Sequence, residues 1–401
     1  MKKILFVDDE QKVLQGLQRT LRPMRHEWEM EFVSSGQEAL EMLSKMPFDV
    51  IVTDMRMPGM DGLQLLKEVM KKNQNIVRIV LSGQTEHEAF LSSDLIAHRF
   101  MSKPCDVEAL KVTIAQACKL ENLLADETLK KIVLQLESLP TLPSLYTEIV
   151  DALQSPNTSI ERIGQIISKD IGMTAKVLKL VNSAFFGLRR KISSPTEAVV
   201  FLGLNTIKAL VLSYSVFSAF DNVKLRGFSD NLWRHSLLVG SYAKQIATAE
   251  KCESRIISDA LIAGMLHDIG KLILAANVSE LFTKAITMAN ERKMCSWDAE
   301  QEIFHGTHAE VGAYLIGLWG VSDSILEAIA FHHAPLKSND KTFNLVTALH
   351  VADVFGNEAY PVEYVDIQVD NAYISNLGLA ERLSVWKESC IAVEKEGGVN
   401  V

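Results

Sequence analysis

Over the first hundred residues, short apolar runs recur at a regular pitch, each followed by a stretch in which apolar residues return every three or four positions. The runs predict strands at Lys3–Val7, Glu31–Ser34, Val50–Thr53, Val77–Ser82 and Arg99–Ser102. The stretches between them predict amphipathic helices near 11–22, 37–46, 62–72 and 86–96. Ser35-Gly36-Gln37-Glu38 has the spacing of a capping box and opens the second helix. Strand–helix alternation at this pitch predicts an α/β domain with five parallel strands, doubly wound, with helices on both faces. In such sheets the working site lies at the carboxyl ends of the strands.

From Asp106 the pattern turns helical. Val107, Leu110, Ile114, Ala117, Leu120 and Leu124 keep a 3/4 spacing, and Leu129, Ile132 and Leu136 continue it less regularly. Two readings fit: a long connecting helix that could also serve as a dimer contact, or a last helix of the first domain followed by an exposed linker. Leu139-Pro140-Thr141-Leu142-Pro143 ends the segment, because helices rarely run through a proline pair. Beyond it the chain reads as helices throughout, with N-terminus signals at Thr158-Ser159-Ile160-Glu161 and Ser194-Pro195-Thr196-Glu197. The expected organisation is therefore an α/β domain over 1–120, a helical linker over 121–138, an all-α domain over 139–390 and a flexible tail over 391–401.

The length, 401 residues, suits two or three domains at about 150 residues each. Charge narrows the function classes. Residues 1–120 hold 16 basic and 17 acidic residues, net −1, whereas the remainder holds 25 and 33, net −8. That acid excess excludes DNA as the partner of the helical domain, since phosphate neutralisation needs a basic face. Leu188-Arg189-Arg190-Lys191 is a local basic run, read as a solvated loop. No membrane span is expected: stretches such as Ala209–Phe220 fall short of the roughly 20 apolar residues required. The apolar start stops at Asp8-Asp9-Glu10, which rules out a signal peptide, and five scattered cysteines fit free thiols in a cytoplasmic protein.

Asp8 and Asp9 follow the first strand, Asp54 follows Val50–Thr53, Ser82 ends the fourth, and Lys103-Pro104 follows the fifth. Three carboxylates at adjacent strand ends repel unless a cation sits among them, and oxygen-only ligands favour a hard ion such as Mg²⁺. A carboxylate beside Mg²⁺ and a lysine can act as a nucleophile toward a phosphoryl group. With these residues, and with Met57-Pro58-Gly59-Met60-Asp61-Gly62, residues 1–120 resemble the receiver domain of bacterial response regulators, whose fold is flavodoxin-like. The resemblance implies that Asp54 accepts a phosphoryl group from a sensor histidine kinase. It implies that Asp8, Asp9, Asp54 and the backbone carbonyl of Arg56 hold Mg²⁺, that Lys103 contacts the phosphoryl group, and that Ser82 and Phe100 are the switch residues.

Seven of the ten histidines fall between 235 and 350. His235, His267-Asp268, His308, His332-His333 and Asp353 stand on separate predicted helices, which can converge in one cavity. Imidazole with carboxylate suits divalent transition metals, two of which Asp268 could bridge. Lys271, one turn past His267, could bind a charged phosphate oxygen. The His-Asp-x-Gly-Lys string resembles the HD phosphohydrolase superfamily, with His235, His267, Asp268 and Asp353 matching its His…His-Asp…Asp pattern. His308, His332 and His333 match the further ligands of the HD-GYP cyclic-di-GMP phosphodiesterases, with manganese or iron as the implied metal. The Gly-Tyr-Pro element of that subfamily is missing; Ala334-Pro335-Leu336 stands there.

Residues 138–222 resemble the front half of HDOD domains, the HD-related output domains. The marks are Leu139–Pro143, Ile167-Ser168-Lys169-Asp170, Val181–Gly187, Ile192–Pro195 and Phe201-Leu202-Gly203-Leu204. HDOD domains are regarded as regulatory. The expected protein is thus a cytoplasmic response regulator whose HDOD output acts through contacts with a downstream protein, with phosphorylation shifting a homodimer or interdomain equilibrium. The alternative expectation is a metal-dependent, cyclic-di-GMP phosphodiesterase-like hydrolase gated by the receiver.

Overall fold

The structure is a computed structural model that describes residues 1–72, 76–82, 99–103, 108, 110–111, 113–115, 129, 144–154, 159–182, 192–219, 226–319, 321–338, 340–361 and 367–397. The chain divides into two compact units, Met1–Thr141 with Tyr314–Val321, and Leu142–Ala313 with Ser322–Val401.

In the first unit β1 (Lys2–Val7), β2 (Trp28–Val33), β3 (Val50–Asp54), β4 (Val77–Ser82) and β5 (Arg99–Ser102) form one parallel sheet in the order β2-β1-β3-β4-β5. The helices α1 (Gln11–Thr20), α2 (Gly36–Lys45) and α3 (Gly62–Lys72) connect them. Successive side chains of a strand point to opposite faces. Ile4 and Phe6 of β1 therefore join Val52, Ile79, Leu14 and Leu110 on one face, while Leu5 and Val7 join Ile51, Val80, Leu65 and Leu66 on the other. Register brings the strand ends level: Val7 pairs with Val33 and Thr53, Asp54 with Leu81, and Ser82 with Ser102.

Local chemistry shifts some boundaries. β2 begins at Trp28, earlier than predicted, because the indole is buried in the core. α1 ends at Thr20, and Arg22–His26, with Pro23 in its first turn, is a separate 3-10 turn. Ser35 Oγ caps α2 by accepting from the Glu38 N–H at 3.2 Å, but Glu38 reaches one residue further back than a capping box requires, to the N–H and hydroxyl of Ser34. The predicted helix at 86–96 and, apart from Leu129, the linker at 121–138 lie outside the described residues.

Among the described residues the second unit is helical: α4 (Ser144–Gln154), α5 (Ile160–Ser168), α6 (Ile171–Val181), α7 (Pro195–Leu202), α8 (Leu204–Ala219), α9 (Arg226–Ala249), α10 (Ser254–Leu266), α11 (Ile269–Asn277), α12 (Ser279–Arg292), α13 (Ser296–Phe304), α14 (His308–Leu318), α15 (Asp323–Phe331), α16 (Leu345–Ala359), α17 (Asn371–Asn376) and α18 (Arg382–Gly397). Ile149, Ile163, Ile167, Val177, Val199 and Ile207 give α4–α8 their own core. Asn182 ties α6 to the start of the next element, accepting from the Ile192 N–H at 2.6 Å and donating to its carbonyl at 2.8 Å.

α9 is the central helix, packed by α10, α16 and α18. It meets α10 at backbone distance, since a Cβ on Gly264 would lie 2.4 Å from the Gly240 Cα. The expected tail from 391 is corrected in part: α18 continues to Gly397. It is anchored by buried Trp386 and Cys390, and Glu250 Oε1 accepts from both Arg382 Nε and Trp386 Nε1 at 2.7 Å. Among the described residues no single helix is long and apolar enough to cross a membrane.

Candidate functional site

The first unit brings Asp8, Asp54 and Lys103 together at the carboxyl edge of the sheet. Asp54 is the last residue of β3, and Lys103 follows β5. Lys103 Nζ donates to Asp8 Oδ2 at 2.9 Å and pairs with Asp54 Oδ1. Burial raises the Asp54 carboxyl above its ordinary value, with Lys103 opposing and Asp8 adding to the rise. For Lys103 burial works against the ammonium, yet its bonds to Asp54 and Asp8 hold its pKa above the ordinary value. The loop after β3 folds back tightly, because a Cβ on Gly62 would lie 2.1 Å from the Asp54 carbonyl oxygen and Gly59 has φ +81°. Only glycine fits the first position, and it is favoured at the second. The side chains of Asp9 and Arg56 are exposed at this same edge. Ser82 ends β4, and Phe100 pairs with Val80 in β5, but the side chains of both lie outside the described residues. The donor set is oxygen from Asp8, Asp9 and Asp54, the chemistry that suits a hard divalent cation.

The second unit gathers every histidine and aspartate singled out above. His235 comes from α9, His267 and Asp268 from the junction of α10 and α11, His308 from α14, His332 and His333 from the end of α15, and Asp353 from α16. Glycines permit the approach. A Cβ on Gly270 would lie 1.9 Å from the His308 carbonyl oxygen, and one on Gly356 would lie 2.7 Å from Val239 Cγ2. Six of the seven residues are buried, and His333, partly buried with 8% of its side chain exposed, is the most open.

Their donor atoms face one another. His235 Nε2 is 3.1 Å from Asp353 Oδ1, and His267 Nε2 is 3.4 Å from both Asp353 Oδ1 and Asp268 Oδ2. His308 Nε2 is 3.1 Å from Asp268 Oδ1 and 3.1 Å from His333 Nε2. Metal–ligand bonds of about 2.0–2.2 Å put neighbouring donors about 3 Å apart, so these are the separations of ligands sharing an ion. His267 and His332 each spend Nδ1 on a carbonyl of their own helix, Gly264 at 2.8 Å and Ile329 at 2.7 Å. The Nε2 atoms of both, and Asp268 Oδ1, are buried without a hydrogen bond. Buried polar atoms left without one are costly, and a metal ion would satisfy them. Three groups, His235–His267–Asp268, Asp268–His308–His332–His333 and His267–His332–Asp353, could each hold an ion, with Asp268 common to the first two.

The cluster balances its carboxylates with protons: although burial opposes it, Asp268 and Asp353 raise His267, and Glu300 and Asp268 bring His308 up to about 9, protons that a cation would displace. Burial opposes ionisation of Asp268 and Asp353, but the surrounding histidines, with Lys271 beside Asp268, hold both carboxyls well below their ordinary value. Burial pushes His332 down to about 3, keeping the imidazole neutral as a ligand must be. Lys271 Nζ donates to Asp268 Oδ2 at 3.0 Å.

Three residues of this site escape a reading of the sequence. Glu300, fully buried on α13, accepts from the His308 ring at 2.7 Å. Asn357 donates to Asp353 Oδ1 at 3.0 Å, and Trp297 stacks on His333 with ring centroids 3.9 Å apart. None lies in a motif, and only the i,i+4 spacing of Asn357 to Asp353 offers a signal.

Two family models match the chain. The family model for the response regulator receiver domain matches residues 4–115, and that for the HDOD domain matches residues 139–335. The chain is a response-regulator receiver joined to an HDOD output domain. A protein of Treponema pallidum (strain Nichols), described only as uncharacterized, is 29% identical over 202 residues, covering 50% of this chain and 38% of that protein. The hydrogenase transcriptional regulatory protein HoxA of Cupriavidus necator is 37% identical over 125 residues, covering 31% of this chain and 25% of that protein. The matches thus span well under two thirds of these relatives. The crystal structure of an HDOD domain protein with unknown function from Geobacter sulfurreducens shares the fold, with TM-score 0.54 at 24% identity, covering 67% of this chain and 97% of that one.

Proposed function

We propose that the protein is a phosphorelay response regulator in which Asp54 takes a phosphoryl group from a sensor histidine kinase and thereby controls an HDOD output that acts by binding another protein. The observation that carries this reading is the cluster of Asp8, Asp54 and Lys103 at one sheet edge, in a chain matching the receiver family. An Asp54 carboxylate oxygen attacks phosphorus as the phosphorus–nitrogen bond to the kinase's phosphohistidine breaks and its imidazole leaves, and the Lys103 ammonium offsets the charge that develops. Mg²⁺, held by Asp8, Asp9, Asp54 and the Arg56 carbonyl, supplies further charge stabilisation when bound. Ser82 and Phe100 relay the change to the surface.

The His/Asp cluster of the HDOD unit is read as the site of a resident divalent transition metal, manganese or iron, with a structural or sensory role. The missing Gly-Tyr-Pro element, with Ala334-Pro335-Leu336 in its place, supports this over cyclic-di-GMP turnover. The net charge of −8 beyond residue 120 supports a protein partner over DNA. Incubation with a radiolabelled small acyl phosphate and Mg²⁺ tests the acceptor. The wild-type chain takes up label and Asp54→Ala takes up none; label retained by the variant overturns the assignment.

A further inference from the structure

We propose that α13, which contributes no ligand, governs one half of the His/Asp cluster: Glu300 and Trp297 are positioning residues for a divalent metal on Asp268, His308, His332 and His333. The inference rests on the metal reading above and assigns its two halves different dependencies. Trp297 and Glu300 are three positions apart on α13, one turn along the same face. Glu300 Oε2 accepts twice from His308, from the backbone N–H and from ring Nδ1–H, each at 2.7 Å. The first bond fixes the main chain. The second fixes the ring and its tautomer, leaving Nε2 with a lone pair toward Asp268 and His333. Trp297 lies nearly parallel to the His333 imidazole, at 15°, and holds from the outside the most open ring of the cluster.

Other ligands have holders outside α13. His267 and His332 are held by carbonyls of their own helices, and Asp353 by Asn357. The half formed by His235, His267 and Asp268 therefore stands without Glu300 or Trp297, whereas two of the four ligands in the other half, His308 and His333, depend on them.

The test is calorimetric titration of Mn²⁺ into the metal-stripped full chain, in a millimolar excess of Mg²⁺ that satisfies the oxygen-only cluster of the receiver. Wild type shows two binding steps. Glu300→Gln weakens one of them by about 10- to 100-fold and leaves the other unchanged, the usual effect of losing a hydrogen-bond partner behind a ligand. Trp297→Ala weakens the same step, and Trp297→Phe, which keeps a stacking face, restores it. Circular dichroism of the metal-free variants checks folding, and the Trp297 pair decides the matter if Glu300→Gln does not fold. Two unchanged steps in the variants, or equal loss of both, overturns the inference while leaving the metal site intact. A wild-type chain that takes up no Mn²⁺ overturns the metal reading, and this inference with it.

Discussion

His350 shows how one side chain couples the cluster to pH. Its Nδ1–H donates to the His332 carbonyl at 2.7 Å, and its Nε2 accepts the Asp370 N–H at 2.9 Å. Both bonds need the neutral ring, and burial pushes its pKa below the ordinary 6.5. The unfolded chain takes up a proton that the folded one refuses. The stability this ring contributes is therefore present above about pH 6.5 and is lost as pH falls below it, at up to about 1.4 kcal/mol per pH unit, while His267 and His308, raised by neighbouring carboxylates, contribute in the opposite sense. Urea unfolding of the metal-free chain should show this slope. His332 and His333, whose pKa values burial also lowers, contribute to it. His350→Gln should flatten the slope, and a variant with the wild-type slope would refute the assignment.

At the level of elements, the cluster depends on how closely helices approach. The first turn of α11 runs against the start of α14 at Gly270, where an added Cβ would meet backbone and no rotamer could relieve it. Gly270→Ala should destabilise the HDOD unit by about 1–3 kcal/mol or more and weaken Mn²⁺ binding, because Asp268 and His308 separate. Gly16, inside α1, is the opposite case: a Cβ added there would have nothing within 4 Å. Gly16→Ala should instead stabilise the receiver by about 0.4–1 kcal/mol through the unfolded chain. Thermal unfolding of the two variants separates backbone crowding from helix propensity. Equal effects would show that the α11–α14 approach is not what Gly270 is for.

For the whole molecule, two compact units with chemically different cation sites should respond to different metals. The receiver cluster offers oxygen donors, and the HDOD cluster offers mostly imidazole nitrogen. Differential scanning calorimetry of the metal-stripped chain should resolve two transitions. Mg²⁺ should raise one and Mn²⁺, added over Mg²⁺, the other. An ion at 100 times its dissociation constant contributes about 2.7 kcal/mol to the state it binds. Asp54→Ala should abolish the first shift and leave the second. A single transition raised equally by both ions would count against separate sites.

The sequence by itself determined the parallel sheet, the level of its strand ends and hence the meeting of Asp8, Asp54 and Lys103. A period of two and a run of short connections leave few ways to arrange five strands, and all of them put those residues at one edge. It also supplied the candidate ligands of the helical unit, because the His-Asp-x-Gly-Lys string and the surrounding histidines and aspartate carry their chemistry in their identity. Helical periodicity, however, says which face of a helix is buried and not which helices meet there. The recruitment of Glu300 and Trp297 from a helix without ligands, the ring nitrogen each histidine leaves bare, and the use of Gly270 to let two backbones touch were decided only by tertiary structure. Those features arise from contacts between segments distant along the chain, and no local pattern encodes such contacts.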